Sequence, residues 1–473
     1  MSKRVHAFTD DALGKMDATG IAEAIRAKKV SVKEVVEASK QRAATVNPQL
    51  NAIVLNTYEE ALEAEYSNKN GFFYGVPTYI KDNDDIKGYP TQHGTGVFKA
   101  KPAKKNGNFV NQMLSTGLNY VGKSTIPEFG LICSAENEKW GITHNPWNTD
   151  YTPGGSSSGS AALVASGVVP IAQANDGAGS TRIPASLCGL IGLKPSRNRL
   201  ENHGLTNLLP INVVYEGVLT RSVRDTARFY FEAEKYFKNP KMPAIGLVTG
   251  PNKKRLKIVA VNNKPEGEPG HVDQDTARVY EETIQKLEQL GHHVELIDIP
   301  IDIGEMMHYY LIYYGFLAFM ETKMGLLMYQ SKVDQSNLEP FSYGLTNRFL
   351  KNILEFPKSI NQLKKKIQIL EDNLLKNHDV ILLPITTIKT PKIGYLSPLL
   401  SSKEIVKRAA YYAPFPGMQN ISGAPSIALP MGVDSNDMPL GLQFATRFGQ
   451  EQTLLELAFE LEETFPWRRI FDI

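Results

Sequence analysis

Between residues 76 and 174, short apolar and β-branched runs alternate with helix-length stretches, and this alternation limits the fold more than any other feature of the chain. Residues 76–80, 118–121 and 168–174 read as strands, and 109–115 and 160–165 as the helices between them. The unit returns as the strand 256–261, the amphipathic helix 275–290 and the strand 293–299, while 380–383 and 426–429 supply further core strands. Strand, helix and returning strand make a right-handed crossover when the strands are parallel. The expectation is an α/β fold: a large mixed or mostly parallel central sheet covered by helices on both faces. The N-terminal region 1–65 reads as helical, with Ser31-Val32-Lys33-Glu34 in the capping-box pattern ahead of Val35, Val36 and Ala38. No Pro/Ser/Gly linker or charge block divides the 473 residues, so one domain over 1–473 is expected.

Charge excludes more than it suggests. With 52 Lys and Arg against 50 Asp and Glu, a net charge of +2 gives no electrostatic reason to expect nucleic acid as a partner. The basic runs at 101–105 and 364–366 read as solvated faces. Cys133 and Cys188 are the only cysteines; they allow no disulfide framework, are too few for a zinc cluster, and read as small core residues. The cytoplasm is the expected compartment. The start, Met1-Ser2-Lys3-Arg4-Val5-His6, lacks the apolar run of a signal peptide. The most apolar stretch, 306–320, is interrupted by His308 and Gly315 and is too short for a bilayer, so no membrane partner is expected. It reads either as a buried or cap helix or as the lining of a pocket for an apolar ligand.

Three motifs compete for the chemistry. Gly117-Leu118-Asn119-Tyr120-Val121-Gly122-Lys123-Ser124 fits the phosphate-loop pattern letter for letter. Such a loop needs a strand before its first glycine and a helix after its lysine, whereas the strand-like residues here lie inside the motif and Pro127 follows too soon. Gly155-Ser156-Ser157-Ser158-Gly159 fits the nucleophile elbow, which must crown an apolar strand. The preceding Asn145-Pro146-Trp147-Asn148-Thr149-Asp150 cannot be one, and nothing points to His378 or an earlier histidine as the partner base. The third reading joins Lys81, Ser156 and Ser180. A serine hydroxyl becomes a nucleophile when a base takes its proton, and a lysine kept neutral can be that base. Lysine is neutral near pH 7 only where water is excluded or other cations press on it, so Lys81 is expected to be buried.

These three residues stand in Gly75-Val76-Pro77-Thr78-Tyr79-Ile80-Lys81, Gly154-Gly155-Ser156-Ser157-Ser158-Gly159-Ser160 and Asn175-Asp176-Gly177-Ala178-Gly179-Ser180-Thr181-Arg182. The two serines are close in the chain, and the lysine lies well upstream of both. With Gly189-Leu190-Ile191-Gly192-Leu193-Lys194-Pro195, Thr220-Arg221-Ser222-Val223-Arg224-Asp225 and Asn420-Ile421-Ser422-Gly423-Ala424-Pro425, the stretch from Gly75 to Arg221 and the C-terminal segment resemble the amidase signature family, in the spacing of the trio as well as in the motifs. The resemblance implies that Ser180 is the acyl-accepting nucleophile, that Ser156 is a bridging serine at a cis peptide bond, and that Lys81 is the terminal base. It implies an oxyanion hole from the backbone N–H groups of Gly177, Ala178, Gly179 and Ser180, a signature core at 75–230, and a variable helical cap or substrate region at 300–378. It implies no metal and no organic cofactor. Asp176 and Arg182 read as a structural pair that orients the loop. Ala178 replaces a glycine common in the family, and Ser158 another, which bears on pocket shape. The form of the second motif looks closest to the branch that includes 6-aminohexanoate cyclic dimer hydrolase. The expected activity is hydrolysis of a small-molecule carboxamide through a serine acyl-enzyme. The alternative is a glutamine-hydrolysing amidotransferase subunit acting with a partner chain. A homodimer is left open, and the intact trio argues against a non-catalytic binding protein.

Overall fold

A computed structural model describes residues 3–63, 67–202 and 206–472. Ser31 opens the helix Val32–Leu50 as its capping box predicts: Ser31 Oγ accepts from the Glu34 N–H at 3.2 Å, and the Glu34 carboxylate accepts from the Ser31 N–H at 2.7 Å. Helix Ala18–Arg26 precedes it and Tyr58–Leu62 follows. Between them lies β1 (Ile53–Asn56), which corrects the all-helical reading of 1–65. Three apolar residues in a row do not by themselves separate strand from helix. Here pairing decides, because β1 joins β3 (Asn119–Ser124) in an antiparallel ladder. Residues 1, 2, 64 and 65 of that region lie outside the described residues.

The strands form three sheets. The order β1–β3–β2 makes one of them, with β2 (Pro77–Lys81) parallel to β3 across the helix Asn108–Ser115. A short hairpin is formed by β4 (Glu136–Asn137) and β5 (Gly141–Ile142). The main sheet has eight strands, β6 (Ile171–Asp176), β7 (Ile191–Lys194), β8 (Tyr215–Thr220), β9 (Lys257–Val261), β10 (His293–Ile297), β11 (Val380–Pro384), β12 (Ser426–Val433) and β13 (Pro439–Ala445), in the order β10–β9–β11–β13–β12–β7–β8–β6. It is mixed, and less parallel than the alternation of elements predicts. β9 is parallel to β10 and β11, and the other pairings in this sheet are antiparallel. The reason is insertion. The hairpin β12–β13 enters between β11 and β7, and β8 enters between β6 and β7, so a crossover that looks like a parallel pair in sequence spans an antiparallel strand.

Away from the exposed edge strand β10 the sheet is buried on both faces, and β9 and β11 are accordingly nearly continuous apolar runs. Ile258 and Ala260 of β9, with Val380 and Leu382 of β11, join one core, under the helices Val223–Tyr236, Gln274–Gln289 and Glu451–Thr464. Val259, Val261, Ile381 and Leu383 join the other, under Ser158–Ala165, Arg182–Cys188 and Ile303–Lys323. Each fully buried aliphatic side chain contributes about 1.5–3 kcal/mol relative to exposure. Cys188 is buried and Cys133 partly so, both as free thiols. Among the described residues no helix is long and apolar enough to cross a membrane. β2 lies alongside β6: Thr78 Oγ1 donates to Ile171 O at 3.0 Å and the Lys81 N–H to Gln173 Oε1 at 3.0 Å. That contact sets Lys81 beside β6, and the site is built from there.

Candidate active site

Ser156 and Ser180 sit at the two ends of one helix–strand unit. Ser156 lies in the turn before the helix Ser158–Ala165, the chain returns through β6, and Ser180 follows in the loop before the helix Arg182–Cys188. The spacing of the two serines is therefore a geometric one, since a helix and the strand that doubles back beside it put both ends at one edge of the sheet. The Gly155–Ser156 peptide bond is cis. A Cβ on Gly155 would fall 2.7 Å from Ser134 O and 2.9 Å from Ser134 N, so the turn is pressed against backbone and only glycine fits. The Ser157 N–H donates to Ser180 O at 3.3 Å, which ties the two serine turns together.

Lys81 is fully buried, with Nζ 2.8 Å from Ser156 Oγ and 2.6 Å from Asn175 Oδ1. Burial lowers its pKa to about 7, against the opposing pull of Glu216 and Asp176. Glu216 is held well above the usual carboxylate range, first by burial and then by the neighbouring Asp84. Gln173 links the set: its Nε2 donates to Asp84 Oδ2 at 3.1 Å and to Glu216 Oε2 at 3.2 Å. Ser156 and Ser180 line one cavity of about 670 Å³, with Asn175, Gly177, Glu216 and Tyr314 also on its wall. The trio read from sequence is thus assembled through a direct contact between Lys81 and Ser156 and a shared cavity wall between Ser156 and Ser180.

Asn175, Gln173 and Glu216 were missed by sequence reasoning. Gln173 and Asn175 alternate with Ala172 and Ala174 along β6, so a polar face on a buried strand was there to be read. Glu216 gave no such signal, because it reaches the site only through the antiparallel register that sets it opposite Asn175.

The loop after β6 is fastened by Asp176 and Arg182, the structural role expected of them. Arg182 Nε donates to Asp176 Oδ2 at 3.0 Å and Nη2 to Oδ1 at 2.9 Å; Arg182 also reaches Asn420 Oδ1 at 2.6 Å and Gln443 Oε1 at 2.7 Å. Burial pushes the Asp176 carboxyl up, but the Arg182 guanidinium and the Asn420 amide outweigh it and hold the group well below the usual range. Asp176 Oδ1 also accepts from the Gly179 N–H at 2.7 Å, and Oδ2 from the Thr181 N–H at 3.2 Å. Of the backbone N–H groups expected as oxyanion donors, that of Gly179 is therefore turned to the aspartate. Gly179 has φ +110°, and a Cβ there would meet Pro416 Cβ at 2.7 Å, so its part in the loop is conformational. Replacing Arg182 by methionine would leave Asp176 buried without its counter-charge. A stability loss of about 3–5 kcal/mol is expected, visible as a lowered midpoint in urea unfolding; an unchanged midpoint would contradict this account of the loop.

Neither competing motif has the surroundings its own chemistry needs. Residues 119–124 are β3 itself, and Lys123 is buried with Nζ 3.0 Å from Asp82 Oδ1 and 2.8 Å from Thr91 Oγ1, so its charge is already paired. The Gly155–Gly159 motif runs into the helix Ser158–Ala165 with no apolar strand leading into it. His378 is paired with Glu295 Oε2 at 2.9 Å and does not line the cavity. Lys101, Lys104 and Lys105 are exposed as expected, but at the rim of the cavity. The apolar stretch 306–320 lies in the helix Ile303–Lys323, which packs into the core and also presents Tyr314 and Leu317 to the cavity. Among the described residues no group of three or more His, Cys, Asp or Glu side chains is placed to hold a metal ion.

A family model described as Amidase matches residues 34–455. The chain is 43% identical over 468 residues to the inferred amidase AmiC of Mycobacterium leprae, covering 99% of each. It is 31% identical over 483 residues to the 6-aminohexanoate-cyclic-dimer hydrolase of Pseudomonas sp. NK87, covering 95% of each. A solved structure of 6-aminohexanoate cyclic dimer hydrolase superposes with a TM-score of 0.86 at 29% identity, over 98% of this chain and 99% of that one.

Proposed function

We propose, on the premise that this chain belongs to the amidase signature family, that it hydrolyses a small-molecule carboxamide through an acyl-enzyme at Ser180. The observation that carries the reading is the contact of a buried, readily neutral Lys81 with Ser156, on the wall the cavity shares with Ser180. As a free amine, Lys81 keeps an N–H for Asn175 and turns its lone pair to the Ser156 hydroxyl. Ser180 Oγ attacks the carbonyl carbon, its proton passes to Ser156, and the Ser156 proton passes to Lys81. The oxyanion forms against the N–H groups of Gly177, Ala178 and Ser180. Collapse breaks the C–N bond, and the leaving amine takes the proton back along the same path. Water then attacks the ester by the same relay, releases the acid and restores Ser180. No metal or organic cofactor enters these steps.

The helices between 300 and 378 are the region we assign to substrate selection over a core at 75–230, the whole acting as one domain in the cytoplasm. Phe129, Leu131, Leu317, Met320 and Met328 make much of the cavity wall apolar, which suits an aliphatic or aryl amide. The amidotransferase reading is the weaker one, since the two sequence relatives described above, at 43% and 31% identity, carry amidase and hydrolase names. The test is a screen of linear, cyclic and aryl amides, with glutamine among them, followed by release of ammonia or amine, alongside gel filtration to fix whether the active species is a monomer or homodimer. Turnover of a carboxamide other than glutamine by the isolated chain is expected. Turnover of glutamine alone, or of nothing without a partner chain, would overturn the reading.

A further inference from the structure

The cavity wall carries two carboxyls that the proposed chemistry does not use, Asp85 and Glu321, and Asp85 already accepts from Thr91 Oγ1 at 2.6 Å. Along the helix Ile303–Lys323, Tyr314, Leu317 and Glu321 face the cavity at the three- and four-residue spacing of a single helical stripe, with Met320 beside them. An apolar side chain is what that spacing and those neighbours call for, and Glu321 breaks the pattern. Its Oε2 is shut off from solvent and hydrogen-bonds to nothing among the described residues. Burial raises its pKa to about 8, with no cation of the protein set against it. A buried polar group without a partner costs free energy that a bound partner recovers. A second observation on the same wall points the same way. Tyr329 Oη is likewise buried without a partner, and its ring stacks on Phe98 with centroids 4.4 Å apart and an interplanar angle of 6°. Phe98 and Tyr329 both line the cavity. A carboxyl, a phenol oxygen and an aromatic stack together present acceptors and π faces, the complement of an organic ammonium.

We propose that Glu321 is a specificity-determining residue that receives a protonated amine of the substrate, so that the preferred amides carry a second, basic nitrogen at the end of an aliphatic chain remote from the scissile carbonyl. The inference rests on the amidase reading and names its substrate class. Ser180, Leu317, Met320 and Glu321 line the same cavity, so one substrate can meet the serine, an apolar surface and the carboxyl. Binding transfers the Glu321 proton to solvent and leaves a carboxylate paired with the ammonium, which balances charge inside the wall.

Two measurements on the full-length protein test it. In the first, titration calorimetry compares an n-alkylammonium with the n-alkanol of equal chain length, for the wild type and for Glu321→Gln; this needs no turnover. The wild type is expected to bind the ammonium about tenfold or more tightly than the alkanol, and Glu321→Gln to lose that preference. In the second, kcat/KM is compared between ω-aminoacyl anilides and n-acyl anilides of matched length, and the ratio is expected to fall about tenfold in Glu321→Gln. Equal binding of ammonium and alkanol by the wild type, or a ratio that the substitution leaves unchanged, would overturn the proposal. The wild-type comparison decides the matter even if the variant does not fold. Failure of the wild type to cleave any anilide would count against the amidase reading and leave the calorimetric comparison to decide this one.

Discussion

Ser180→Ala is expected to abolish hydrolysis of every amide that the wild type cleaves, with a loss on the order of a million-fold in kcat. The substitution removes one oxygen from a residue that is 6% exposed, so the fold should survive it. The loop that carries Ser180 is held by the Asp176 and Arg182 network, which the hydroxyl does not join. Circular dichroism and a urea midpoint near those of the wild type should therefore accompany the loss of turnover. A fluorophosphonate probe should label the wild type at Ser180 and leave the variant unlabelled. Activity above about a tenth of wild type would show that another group makes the attack.

Lys81→Ala should cost about a thousand-fold or more, the upper range for a general base, because it removes the amine that contacts the Ser156 hydroxyl at 2.8 Å. The pH profile gives the sharper signature. The folded-state pKa of Lys81 is lowered from 10.5 to about 7. Above that value the amine is free and can accept; below it the ammonium cannot. kcat/KM should accordingly rise with pH through about 7 and fall away on the acid side. The limb belongs to Lys81 and Glu216 together, since the Glu216 charge favours the ammonium. Glu216→Gln removes that pull and should move the limb to lower pH. A profile flat from weakly acidic to alkaline conditions in the chemical step would contradict the role of Lys81.

The site was legible in the sequence where the chemistry depends on residue type and fixed spacing. The two serines of the proposed trio belong to that class, because helix Ser158–Ala165 and β6 together span the distance from one to the other; Lys81 was singled out by the resemblance of its motif. It was not legible where a side chain in the folded loop, or a distant strand, reassigns or supplies a group. The Gly179 N–H reads as an oxyanion donor from the run Gly177-Ala178-Gly179-Ser180, yet Asp176 reaches forward along the loop and takes it. Glu216 depends on strand register, and Glu321 on which face of its helix meets the cavity. The same limit applies to the fold. Periodicity identified most of the strands it addressed, but which strand lies next to which is set by the inserted β8 and the late hairpin β12–β13, whose partners lie far away in the chain. β1 was hidden for the same reason, since its strand character comes from pairing with the distant β3, where Ile53 lies opposite Ser124.

The central claim is that the acyl group passes through Ser180 on a proton path ending at Lys81. Its most direct test is to mix the enzyme with a slowly deacylating aryl amide, quench with acid during turnover, and map the digested protein by mass spectrometry. The account predicts a mass increase equal to the acyl group on the peptide that contains Ser180, forming with the same rise in rate through pH 7 as turnover, and absent from Ser180→Ala. An acyl group on Ser156 instead, or full turnover with no covalent adduct on either serine, would contradict it.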